Sequence, residues 1–147
     1  MEGTAVIKTI LVPIDIHEES SWQNVLPIAI DHARRYDADL HMMNVVPHVE
    51  INMPGVLSPE KIYPQLREAA RQRLEAIIEP HAPADLRIHY EIGEGNVHRE
   101  ILRVADEIGA DLIIMASHRP DLRTYLLGAH AARVVRHANC SVYVVRS

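Results

Sequence analysis

TILVPI, Thr9 to Ile14, is a short unbroken apolar run rich in β-branched residues. A strand with one face in water alternates polar and apolar residues, whereas a strand buried on both faces stays apolar throughout. LHMMNVV (Leu40 to Val46), LIIMA (Leu112 to Ala116) and VYVV (Val142 to Val145) read the same way as the first run. The stretch from Arg87 to Ile92 alternates instead, with Ile88, Tyr90 and Ile92 on one side, as suits a strand nearer a sheet edge. Five strands are expected.

The segments between these runs carry a helical period. Trp22, Val25, Leu26, Ala29, Ala33 and Tyr36 form one apolar stripe, and Leu66, Ala69, Ala70, Leu74, Ile77 and Ile78 a second. A third helix begins after Asn96, buries Val97, Ile101, Val104, Ala105 and Ile108, and stops at Gly109. A fourth starts near Gly128 and ends near Arg136 and His137, cations that suit a helix carboxyl terminus. Pro27 breaks the first pattern, where an interior proline costs about 3 kcal/mol. Either that helix starts later or it bends there. Pro47 to Ser58 reads as a long loop after the second strand.

Regular alternation of strand and helix predicts an α/β fold, a parallel sheet with right-handed crossovers and helices on both faces. The chain has 147 residues, 48% of them hydrophobic and 24% charged, which fits one globular domain. With no Phe, the core must be aliphatic. A net charge of −5 with dispersed cations argues against nucleic acid or an anionic membrane surface as partner. No apolar run approaches the length of a membrane span, so membrane insertion is not expected. The lone Cys140 excludes an internal disulfide and suits a reducing compartment, so a cytoplasmic location is expected.

Open α/β sheets bind ligands beyond the carboxyl ends of their strands. The residues there are Pro13, Ile14 and Asp15 after the first strand, Asn44, Val45 and Val46 at the end of the second, and Met115 to Pro120 after the fourth. Gly128, Ala129 and His130 then open a helix. A strand, a turn and a helix amino terminus with a glycine suit an anion, because unpaired backbone N–H groups and the helix dipole point at it.

ILVPID at Ile10 to Asp15, IIMASHR at Ile113 to Arg119 and LLGAHAARVVRHANCSVYVVR at Leu126 to Arg146 resemble the opening strand, the fourth strand and the closing helix and strand of universal stress proteins. The resemblance covers essentially the whole chain. It implies one universal stress protein domain over residues 1–147, Rossmann-like and similar to the adenine nucleotide alpha hydrolases, with strand order 3-2-1-4-5. It also implies a cytoplasmic protein that binds ATP or ADP, with Mg²⁺ carried by the nucleotide, and acts as a regulatory or protective factor in stress. Any enzyme activity would be slow ATP hydrolysis or autophosphorylation, with no assigned catalytic residue.

Carried over by position, the resemblance makes Asp15 and Val45 adenine contacts, with Pro13 and Ile14 shaping the pocket wall. Met115 and Ala116 would lie along the ribose. Ser117, His118, Arg119, Gly128 and the backbone N–H groups of Ala129 and His130 would meet the phosphates.

Nucleotide-binding members follow their fourth strand with glycine, two residues, glycine, nine residues, then glycine and Ser or Thr. Here Ala116 and Arg119 stand at the first two glycine positions, eight residues separate Arg119 from Gly128, and Ala129 takes the hydroxyl position. SHRPDLRTYLLG, Ser117 to Gly128, resembles a variant phosphate loop of a bacterial branch of small family members. Arg119 would replace lost backbone donors with a guanidinium. The departures also support an alternative, a dimeric interaction or chaperone-like module without nucleotide. The resemblance further implies a homodimer through the last strand, Ser141 to Arg146, because an edge strand invites pairing.

Local explanations compete for the same residues. Asp15 is a good turn residue, and Asn44 would satisfy backbone groups. His41, His89 and His98 lie on different elements and His130 and His137 are two helical turns apart, so no metal-binding set is expected. Cys140, at the far end of the sheet from the crevice, reads as a small buried hydrophobe.

Overall fold

The computed structural model describes residues 6–48, 58–117 and 128–146. Five strands, β1 (Thr9–Pro13), β2 (Asp39–Val46), β3 (Ile88–Glu94), β4 (Leu112–Ala116) and β5 (Ser141–Val145), form one parallel sheet in the order β3-β2-β1-β4-β5. The helices are α1 (Val25–Tyr36), α2 (Pro59–Ile78), α3 (Val97–Ile108) and α4 (Ala129–His137). This is the order implied by the family resemblance. It places the alternating strand β3 at one edge and β5 at the other.

Successive residues of a strand face opposite sides of the sheet, so each buried strand supplies two cores. Ile10, Val12, Leu40, Met42 and Ile114 pack against α1 and α2, where Val25, Ala29, Leu74 and Ile78 are fully buried. Leu11, Met43, Ile113 and Met115 face α3 and α4, meeting Ile101, Val104, Ala131 and Val134. Both faces are filled without a Phe.

The helix ends follow from individual residues. The first helix starts at Val25, so Pro27 is its third residue. A first-turn N–H has no intrahelical acceptor, which makes proline harmless there and resolves the apparent break. Asp37 ends α1 in the left-handed region at φ 53°, which a short polar side chain tolerates. The Asn96 Oδ1 accepts from the Arg99 N–H at 3.1 Å and caps α3, and Gly109 ends it at φ 67°. At Gly93 a Cβ would lie 3.0 Å from both the Glu100 Cβ and the Met43 Cε, so glycine lets α3 close onto β3.

Two expectations change. The second helix begins at Pro59, well before its apolar stripe, and Leu66 is 39% exposed instead of buried. Cys140 is only partly buried, although it does pack against the α3–α4 core. Among the described residues no helix is long and apolar enough to cross a membrane.

Candidate functional site

A cavity of about 940 Å³ opens at the carboxyl ends of the strands, where β1 and β4 send their connections to opposite faces of the sheet. Its size lies at the upper end of the roughly 300–1,000 Å³ usual for small-molecule sites.

The β1 side is fixed by backbone and short polar groups. The Ile14 N–H donates to the Met43 carbonyl at 2.8 Å, extending the ladder one residue past Pro13. Asp15 then turns the chain. Its Oδ1 accepts from the His17 N–H at 2.9 Å, while its own N–H donates to the Ser21 Oγ at 2.8 Å. The Ser21 hydroxyl lies 2.9 Å from the Asp15 carbonyl and 2.7 Å from that of Glu18. The turn role is therefore real, yet the other carboxylate oxygen of Asp15 has no hydrogen bond from the described residues. Asn44, 5% exposed on β2, accepts from the Ile16 N–H through Oδ1 at 3.3 Å and ties the same turn to the sheet.

Pro13, Ile14, Asp15, Val45, Met115 and Ala116 all line the cavity. From the opposite wall come Gly128 and His130. Gly128 precedes α4 in extended backbone, φ −62° and ψ 156°, and as a glycine offers no side-chain cap of its own. The Ala132 N–H to Gly128 carbonyl bond, 2.9 Å, is the first of that helix. Ala129 and Ser117 lie outside the lining, and the Ser117 N–H is held by the Val145 carbonyl at 2.9 Å. His118 and Arg119 fall outside the described residues, as does most of the loop from Pro47 to Ser58.

The wall contributed by α2 was not anticipated. Leu66, Ala69, Ala70 and Arg73 line the cavity from one helix face, spaced i, i+3, i+4 and i+7. Arg67 of the same helix pairs with Glu94, and Arg71 pairs with Glu68 and Glu75, but Arg73 has no ion pair among the described residues. A cation interrupting an otherwise apolar helix face was the available signal. Beside α4, the His98 and His130 rings lie 5.7 Å apart, and the buried Nδ1 of His98 has no hydrogen-bond partner. Burial, followed by the nearby Arg133 and His130 charges, holds the His98 imidazole below the ordinary histidine pKa.

Among the described residues, an apolar crevice at a strand-order reversal, with an available carboxylate oxygen, a guanidinium without an ion pair and a glycine at a helix start, suits an organic ligand carrying an anionic group. The universal stress protein family model matches residues 7–146. The chain belongs to the universal stress protein family. Universal stress protein G of Escherichia coli O157:H7 is 30% identical over 95% of this chain and 99% of its own length. A universal stress protein solved in complex with cAMP is 20% identical, covering 97% of this chain and 98% of its own, with a TM-score of 0.64. The Archaeoglobus fulgidus universal stress protein in complex with dAMP is 18% identical, covering 97% of this chain and all of its own, with a TM-score of 0.65.

Proposed function

We propose that this protein binds an adenine nucleotide, ATP or ADP, in the crevice at the β1–β4 switch, and that the bound nucleotide makes it a regulatory or protective factor in stress. The observation that carries the reading is the cavity itself, which brings Asp15, Val45, Met115, Ala116, Gly128 and His130 together from four separate elements. The adenine would sit between Asp15 and Val45, with the available Asp15 oxygen accepting from its exocyclic amine. Met115 and Ala116 would follow the ribose. The phosphates would meet the α4 amino terminus, with Arg73 as counter-charge. The cAMP and dAMP complexes of family members support the adenine and phosphate ends of this assignment.

Asp15 is the one carboxylate among the described lining residues, so Mg²⁺ would arrive and leave with the phosphates and not reside on the protein. A cytoplasmic location accords with the lone Cys140. β5, with Tyr143 40% exposed, lies at a sheet edge and would pair two copies into a homodimer. Val144→Pro should then shift light scattering from dimer to monomer, and an unchanged dimer would remove that interface.

The deciding experiment is the mass of any ligand released on denaturing freshly purified protein, with calorimetric titration of the emptied protein by ATP, ADP and AMP. Bound nucleotide whose affinity is lost in Asp15→Ala would support the assignment. A folded protein that releases nothing and gives no heat with any of the three would overturn it in favour of the interaction module.

A further inference from the structure

At the other end of the sheet, three potential metal ligands meet although they are distant in sequence. Asp39 opens β2, and the β2–β3 register sets His41 opposite His89 and Met43 opposite Glu91. Strand alternation therefore puts Asp39, His41, His89 and Glu91 on one face. The two imidazoles stack with centroids 4.4 Å apart and planes within 16°. The two histidines do lie on different elements, as expected, but the register of neighbouring strands brings them side by side despite their sequence separation.

The donors lie close enough together to share a small ion after modest side-chain adjustment. One potential ligand atom from each of Asp39, His41 and His89 lies within 4.8 Å of the others, and His89 Nε2 is 3.3 Å from Asp39 Oδ2. Two ligands of a tetrahedral zinc, each bonded at about 2.0–2.1 Å, are separated by about 3.3–3.4 Å. Glu91 Oε2 lies 2.8 Å from His41 Nδ1. A proton held between those atoms leaves the lone pair of His41 on Nε2, the arrangement by which a carboxylate orients a ligating histidine. The His41 side chain is 13% exposed and held, and that of His89 is 47% exposed and open to solvent.

The surrounding charge is compatible. Arg87 contacts Asp39 through Oδ1, Asp37 through its carboxylate at 3.3 Å, and the Asp37 carbonyl at 2.8 Å. Its guanidinium is thus engaged with two acids on the far side of the Asp39 carboxylate, leaving Oδ2 toward His89. Asp37, Asp39 and Glu91 outnumber that cation, so the site has net negative charge when both histidines are neutral.

We propose that Asp39, His41 and His89 form a site for a divalent ion of the zinc class, with Glu91 orienting His41 and the fourth position open to water. Two imidazoles and one carboxylate suit zinc better than magnesium or calcium, which require mainly oxygen ligands. The ion would clip edge strand β3 to β2. Nothing in this assignment depends on the nucleotide crevice.

The test is titration of the full metal-stripped chain with Zn²⁺ in competition with a chromophoric chelator, read alongside thermal unfolding. The expected result is one equivalent bound at micromolar affinity or tighter, with a higher melting temperature. His89→Gln and Asp39→Asn should each weaken that equivalent about tenfold or more and remove the thermal shift, while Glu91→Gln weakens it about tenfold through His41 alone. His137→Ala should leave both unchanged. His89→Gln keeps the side chain's bulk at an edge position, and circular dichroism checks that it folds. Binding no tighter than about 100 μM, affinity unchanged in folded His89→Gln, or affinity lost in His137→Ala would overturn the site.

Discussion

At the carboxyl ends of the strands, Asp15 and Arg73 line a large cavity without an ion pair to any described residue. At the amino ends of β2 and β3, Asp39, His41, Arg87, His89 and Glu91 contact one another directly. The difference teaches how one sheet serves two purposes. Side chains that meet across two strands hold an exposed edge in register and gather the donors proposed for a small ion, whereas side chains held by backbone turns and helix packing, with polar atoms left over, line a space large enough for an organic ligand.

The largest expected effect tests whether the two regions share one foundation. Ile114→Ala, in a strand where that residue is fully buried, should cost about 2–5 kcal/mol in denaturant unfolding and weaken both ends together. A loss confined to one end would break the comparison. Asp15→Ala sharpens it from the crevice side. Affinity for ATP should fall about tenfold or more, with little change in zinc binding. Arg73→Ala should have a smaller effect, a several-fold loss for ATP but not for adenosine, diminishing in high salt because the residue is exposed.

Acid titration adds a test without mutation, with Glu68, Glu94 and Glu100 lowered alongside Asp39 in the carboxylate range. His98 binds its proton less readily when folded, chiefly through burial, so its contribution is present above pH 6.5 and is lost as pH falls through the depressed folded value. Asp39 is lowered first by its hydrogen bond to Arg87, so its contribution is present above pH 3.8 and is lost only below that. Stability measured against pH should therefore decline in two stages. His98→Asn should flatten the upper stage, and Arg87→Gln should diminish the lower one. A single carboxylate-range decline in the unmutated protein would contradict this order.

The sheet was legible because burial on both faces leaves a direct mark, continuous apolar runs at Thr9, Leu40 and Leu112, and because Asn96 and Gly109 do locally what caps must do. Strand order and the nucleotide assignment rested on resemblance, since periodicity carries no record of which strands become neighbours. The crevice residues following β1, β2 and β4 could be listed once the fold class was known. Arg73 was missed because α2 was read only for the stripe that feeds the core, and Leu66 was assigned to that stripe although its neighbours at Ala69, Ala70 and Arg73 turn it toward the cavity. The His41–His89 pair was missed because histidines 48 residues apart meet only through inter-strand register.

The central position of β1 gives chain synthesis a consequence for function. β1, β2 and β3, with the whole Asp39–His41–His89 strip, are translated before β4 begins at Leu112. At that point one side of β1 is still unpaired, and the domain closes as a unit only once β4, α4 and β5 have followed. The crevice needs Asp15 from the first half and Gly128 from the second, so it is completed only near the end of translation. A ribosome-bound truncation ending before Leu112 would carry the residues of the histidine strip but not the β4 and α4 walls of the crevice.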